Sequence, residues 1–132
     1  MKAIFLLGTA GQGMKLLGII LARILEGKGY HVALTFEHDS FVRAGNSNAY
    51  LVFSKGKVDN PIVDEPDLRY DVKKPELKEE LLKKYNDPKA MNMTLLGEIL
   101  RELRMEMPEN IDAYLPKRNI ESNKKAIEAG YA

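Results

Sequence analysis

The six residues Gly8-Thr9-Ala10-Gly11-Gln12-Gly13 join an apolar run to a helical pattern. A junction of this kind offers backbone N–H groups and the positive end of a helix dipole to a phosphate. Glycines there allow close approach of a ligand and positive φ. Against the dinucleotide fingerprint G-x-G-x-x-G the chain has Gly8, Ala10 and Gly13, with the middle glycine replaced. Glu37 falls at the end of the next strand-like segment, where a ribose-binding carboxylate is expected. The same glycines would also serve a helix that only packs tightly on a sheet. Arg43 stands among small and polar residues in Ser40–Asn48, with five donors and few local carboxylates. It suits a phosphate, a carboxylate or an acidic group at an interface, with a salt bridge to Glu37 or Asp39 as the plainer alternative.

Other chemistries are poorly supplied. His38, between Glu37 and Asp39, could move a proton, although such a trio also makes an ordinary solvated loop. His31 follows Tyr30 at the start of a strand and reads as structural. No Gly-Lys-Ser/Thr follows the glycine loop, so a P-loop is excluded, and neither Ser40 nor Ser47 has a G-x-S-x-G setting. With 0 cysteines and 2 histidines among 132 residues, the chain has no thiolate nucleophile, no disulfide and no ligands for a Cys-bound zinc or iron–sulfur cluster. Its 20 basic and 19 acidic side chains give a net charge of +1, which disfavours nucleic acid as a partner. No apolar stretch is long enough for a membrane span and no cleavable leader is evident, so a cytoplasmic protein is expected.

The elements that position these residues follow from the pattern. Ala3–Leu7 reads as a strand buried on both faces. Met14, Leu17, Gly18, Leu21, Ala22 and Leu25 form one face of a helix that Gly27 and Gly29 stop. Leu16, Ile19, Ile20 and Ile24 lie off that stripe, so the helix calls for cover on more than one side, from later helices or from another subunit. Val32–Phe36 reads as a second buried strand, making a β-α-β unit with a parallel pair. Asn48–Ser54 is a third strand. Residues 58–75, with three prolines, read as an extended surface excursion. Helices are expected over Glu76–Tyr85 and Asn92–Met105, and two short ones after Pro108 and Pro116, the last ending at Gly130. Charge breaks along the chain as well: 6 basic and 3 acidic residues in 1–55, 14 and 16 in the remainder. The fold expected is α/β, a three-layer α/β/α domain over 1–132 with a parallel or mixed central sheet and a helical C-terminal part.

Taken together, these segments resemble a known family. Gly8–Gly13 is similar to the opening G-x-G-G-Q-G of the gamma subunit of 2-oxoacid:ferredoxin oxidoreductases, the pyruvate, 2-oxoglutarate, ketoisovalerate and indolepyruvate enzymes. Arg43-Ala44-Gly45, Ser47 and Ala49, on a strand ending in Ser54, resemble the R-G-G-x-S-x-A-x-V-x-x-S segment. Asp59–Val63 before Pro66-Asp67 resembles the D-x-P-I run before a P-D pair. Asn92-Met93 with Leu96-Gly97 is similar to the N-M-x-x-L-G helix start, and Asn123, Ala126 and Gly130 to the closing N-x-x-A-x-x-x-G helix. Ala10 and Ala44 replace family glycines, and the chain is shortened between about 67 and 91.

The resemblance implies oxidative decarboxylation of a pyruvate-like 2-oxoacid to an acyl-CoA. Alpha-, beta- and delta-type partner subunits would carry thiamine diphosphate, Mg2+ and the iron–sulfur clusters, and ferredoxin would accept the electrons. It implies no catalytic residue and no metal on this chain, which would be inactive alone and open to homo-dimerisation in isolation. Gly8, Gly11, Gln12, Gly13, Arg43, Gly45 and Ser47 would contact a cofactor, CoA being the candidate, or a neighbouring subunit. A stand-alone dinucleotide- or phosphate-binding protein using Gly8–Gly13 and Glu37, and a scaffold module that has lost its ligand, are the alternatives.

Overall fold

The computed structural model describes residues 1–38, 45–59 and 63–132, which cluster into two compact units, Met1–Lys74 and Pro75–Ala132. The first unit holds a four-stranded mixed sheet and one helix. Strands β1 (Lys2–Thr9), β2 (His31–His38), β3 (Asn46–Ser54) and β4 (Leu68–Asp71) lie in the order β2-β3-β1-β4. Strand β3 is antiparallel to both β1 and β2, whereas β4 is parallel to β1. The two inner strands carry the apolar residues: Ile4, Leu6, Ala49 and Leu51 are fully buried.

Helix α1 (Met14–Gly27) packs on one face of this sheet. The approach is closest at Gly18, where an added Cβ would stand 3.0 Å from the Ala49 Cβ and 3.3 Å from the Leu34 Cδ1. A Schellman motif ends α1, with Gly29 at φ 93 and the Tyr30 N–H donating to the Leu25 carbonyl. At its start Gly13 adopts φ 77 and supplies no side-chain cap.

Three expectations from the sequence are corrected here. Strands β1 and β2 run in the same direction but are not a pair, because β3 inserts antiparallel between them. Apolar runs mark burial and are silent on which strands become neighbours. Nor is β2 buried on both faces. It is an edge strand, and all its residues are exposed or half-exposed. Residues 58–75 contain strand β4, which its prolines and acidic neighbours concealed. Asp67 leads the chain into it: its N–H donates to the Ala3 carbonyl and its Oδ2 accepts the Ala3 N–H at 2.7 Å.

The second unit is helical: α2 (Pro75–Lys84), α3 (Met91–Glu102) and α4 (Ile120–Tyr131), with 3₁₀ turns at Pro88–Ala90 and Ile111–Tyr114. The first segment expected to be a helix after Pro108 is thus a single 3₁₀ turn. Helices α3 and α4 cross glycine to glycine. A Cβ on Gly97 would collide with the Ile127 carbonyl and lie 2.8 Å from the Tyr131 nitrogen, and one on Gly130 would collide with the Thr94 carbonyl. Gly130 is therefore a packing residue inside α4 rather than the stop expected from sequence. Glu98, buried on α3, pairs with Lys84 of α2 at 2.7 Å and with Arg101 at 3.9 Å. Among the described residues no helix is long and apolar enough to cross a membrane.

Candidate functional site

The glycine loop is held from three directions. Gln12 folds back so that its Oε1 accepts the Thr9 N–H at 2.7 Å while its Nε2 donates to the Val72 carbonyl at 3.3 Å. The Ala10 N–H donates to the Gly45 carbonyl, which ties the loop to the approach of β3. The Gly8 N–H donates to the Asn48 Oδ1 at 3.2 Å. Gly8 has no room for a side chain: a Cβ would lie 2.7 Å from the Met14 Cγ and 3.1 Å from the Val72 Cγ2. Gly11, at φ 90, has open space around it. Two glycines of the loop therefore answer different needs, one packing and the other a left-handed turn.

Beside the loop lies an open cleft of about 410 Å³, lined by Ala10, Lys15, Phe36, Glu37, His38 and Gly45–Asn48. A second depression of about 400 Å³ runs along the start of α1 past Gly11, Gly13 and Leu16, and shares Lys15 and Ser47 with the first. The Lys15 ammonium stands 5.3 Å from the centre of the Phe36 ring, a cation–π contact that holds it at the wall. The start of α1 adds the partial positive charge of its first-turn N–H groups. Lys15, the Ser47 hydroxyl and the helix end together favour an anionic group.

Glu37, the carboxylate in the lining, is already engaged. Its Oε1 accepts from the Asn48 Nδ2 at 3.1 Å and from the Tyr50 hydroxyl at 2.9 Å. Burial and then the hydrogen bond to Glu37 push the Tyr50 phenol above its usual pKa of 10.0, against an opposing effect of Asn48. Tyr50 also meets Phe5 edge to face at 4.8 Å between ring centres. Through Asn48 this network reaches Gly8, the first residue of the loop.

Of the residues chosen from sequence, the structure brings Gly8, Gly11, Gln12, Gly13, Gly45 and Ser47 to one end of the sheet. Arg43 lies outside the described residues, as do Ala44, Asp39 and Ser40, and Asn60, Pro61 and Ile62 of the D-x-P-I run. Gln12 turns its amide to the backbone and shapes the loop. Lys15, Asn48 and Tyr50 were not singled out. Lys15 had a signal, being one of two charged residues between Met14 and Leu25, whereas Asn48 and Tyr50 act through a register that sequence does not display. The dinucleotide pattern fails on topology: β3 separates Glu37 from the glycine loop, where that pattern needs the two strands adjacent.

A family profile described as pyruvate ferredoxin/flavodoxin oxidoreductase matches residues 3–72, which spans the sheet, α1 and the cleft. The chain belongs to the pyruvate ferredoxin/flavodoxin oxidoreductase family. Solved structures share the fold. The gamma subunit of a keto/oxoacid ferredoxin oxidoreductase from Geobacter sulfurreducens PCA is 19% identical with a TM-score of 0.71, covering 98% of this chain and 94% of that one. Pyruvate oxidoreductase subunit PORC from Thermotoga maritima is 20% identical with a TM-score of 0.67, over 99% and 96% of the two chains. A 2-oxoglutarate:ferredoxin oxidoreductase from Magnetococcus marinus, solved with 2-oxoglutarate, coenzyme A and succinyl-CoA bound, is 14% identical with a TM-score of 0.70. That likeness covers 98% of this chain and 30% of the larger one. No curated protein matches the sequence.

Proposed function

We propose that this pyruvate ferredoxin/flavodoxin oxidoreductase family member is the gamma-type subunit of a multi-subunit, cytoplasmic 2-oxoacid:ferredoxin oxidoreductase. In this reading it supports CoA-dependent oxidative decarboxylation of a pyruvate-like 2-oxoacid. The observation that carries the reading is the family match over 3–72, joined to a fold shared along nearly the whole chain with two separately solved subunits. Alpha-, beta- and delta-type subunits hold the thiamine diphosphate, Mg2+ and iron–sulfur clusters, since a chain with 0 cysteines has no thiolates for a cluster. The whole chain, 1–132, acts as one shortened gamma-type piece.

The cleft fits part of a CoA molecule. Lys15 supplies a fixed cation, Ser47 a hydroxyl, and the start of α1 its N–H groups, a donor set suited to phosphate oxygens. Its volume of about 410 Å³ is at the small end for ligand pockets, which suits one end of CoA rather than all of it. Bound CoA supplies the thiol that accepts the acyl group. This chain's residues bind and orient; Gln12 and Asn48 hold the loop at the required shape, and Gly45 anchors it through Ala10.

Reconstitution tests the reading. The chain alone gives no 2-oxoacid-dependent dye reduction, and the complete set of subunits gives CoA-dependent turnover. Lys15→Ala in the complex raises the KM for CoA several-fold, in line with the loss of a charge-assisted bond, and leaves kcat near its original value. Full turnover by complexes lacking this chain would refute the subunit role, and an unchanged KM would refute the placement of CoA.

A further inference from the structure

Among the described residues β2 forms a free edge of the sheet, built unlike an edge that avoids company. Soluble proteins blunt exposed edges with short strands, lysines, prolines or bulges, because unpaired N–H and C=O groups recruit other strands. At one edge β4 follows that practice: it has four residues and carries Arg69 and Asp71. At the other, β2 has eight residues, no lysine, arginine or proline, and an unbroken register from His31 opposite Ser54 to His38 opposite Ser47. Beside Met1, the exposed large apolar side chains of the described residues are Leu16 (39%) and Phe36 (38%). Phe36 lies on β2, where the ammonium of Lys15 from α1 stacks on its ring.

The residues of β2 are complementary to themselves. Leu34 and Phe36 point to the α1 side, as their approaches to Gly18 show, and alternation places Val32 there too. His31, Ala33, Thr35 and Glu37 lie on the opposite side. In a two-fold antiparallel pair, side chains directly opposite share a face, so the dyad must pass a residue facing its own copy. Centring it on Leu34 sets Val32 opposite Phe36 twice and Leu34 opposite Leu34 on the apolar side. On the polar side it sets His31 opposite Glu37 twice, an imidazole N–H donor against a carboxylate, and Ala33 opposite Thr35. Glu37 makes its internal bonds through Oε1. A dyad at Ala33 leaves His31 facing Thr35, and one at Thr35 sets Glu37 against Ala33 and Val32 against His38.

We infer that β2 is a dimerisation edge, at which two copies of this chain join their sheets antiparallel about a dyad at Leu34. This inference does not rest on the subunit reading, since it follows from one strand and its register. Ile19 of α1, one turn on from Lys15 and half-buried, then borders the joined sheet from both copies, while Ile20 and Ile24 are already buried within the chain.

A chain without cysteine makes the register directly readable. Sedimentation equilibrium of the full chain is expected to show a concentration-dependent dimer. Leu34→Cys brings two cysteine Cα atoms to about 5 Å, within disulfide range, and mild oxidation yields a covalent dimer. Thr35→Cys, with its two copies about 8 Å apart, does not cross-link. His31→Glu sets like charges opposite Glu37 at two places and weakens the dimer about tenfold, whereas His31→Lys strengthens it. The His31 pair decides the matter even where a change at Leu34 disturbs the fold. A chain monomeric at millimolar concentration overturns the inference. So does cross-linking no better at 34 than at 35, or a dimer indifferent to both His31 changes. Protection of the β2 amides by another subunit, with the chain alone monomeric, overturns it too.

Discussion

Gly97→Ala should lower stability even though alanine is the better helix former. In an exposed helix this change gains about 1 kcal/mol. At Gly97 the new methyl instead meets the backbone of α4, colliding with the Ile127 carbonyl and lying 2.8 Å from the Tyr131 nitrogen and 2.9 Å from the Ile127 carbon. Backbone atoms cannot rotate away, so α3 and α4 must separate, and the contacts of Ile127, Ala126 and Leu96 loosen with them. Overpacking of this kind costs about 3 kcal/mol, and subtracting the helix gain leaves a net loss of about 2 kcal/mol. For a chain of this size that lowers Tm by about 6 to 10 °C. Urea unfolding followed by far-UV circular dichroism, together with a thermal scan, measures both quantities. Gly130→Ala meets the Thr94 carbonyl at the same crossing, so the double change should cost less than the sum. A Gly97→Ala chain as stable as the original, or more so, would refute the crossing.

Two further outcomes can be checked with the same material. Lys84→Met leaves the Glu98 carboxylate buried with only the more distant Arg101, and should cost about 2 to 3 kcal/mol, most of it recovered on adding Glu98→Leu; a double-mutant cycle by urea unfolding measures the coupling. Tyr50 should titrate above its ordinary value of 10.0, read as the difference in phenolate absorbance between the original chain and Tyr50→Phe, with Glu37→Gln moving it back toward that value. Because its folded pKa is raised, Tyr50 stabilises the fold fully below the unfolded value, and that contribution fades as pH rises through the folded one.

Periodicity and punctuation reveal much of this fold, and the reasons for the remainder are specific. The apolar run at Ala3–Leu7, the stripe from Met14 to Leu25 and the glycine stop at Gly29 each report a local energy that sequence displays directly. The position of β3 between β1 and β2 is a global choice, made where strands can share the cover of α1, and no local pattern encodes it. Strand β4 was hidden because its stability comes from Asp67 capping Ala3 and from a short parallel ladder. Gly130 looked like a helix stop because glycine serves both purposes; its partner Gly97, thirty-odd residues earlier, is what distinguishes them. The glycine loop was readable as a place. Lys15, Asn48 and Tyr50 became part of it only through folding.

The hydrogen bonds that fix this loop reach far along the chain. Gln12 binds the Val72 carbonyl, 60 residues away, Gly8 relies on Asn48, 40 residues away, and Ala3 on Asp67, 64 residues away. A ribosome makes Gly8–Gly13 before the distant groups that tie the loop down, Gly45, Asn48 and Val72, with Val72 last among them. The nascent segment must wait, for several seconds at ordinary elongation rates of about 5 to 20 residues per second, before it can close. Until β3 emerges, the apolar strand ahead of the loop and the apolar helix behind it have no sheet to join. Those residues are therefore ones a chaperone would meet, and a stall ahead of Val72 would leave the loop without its last tie.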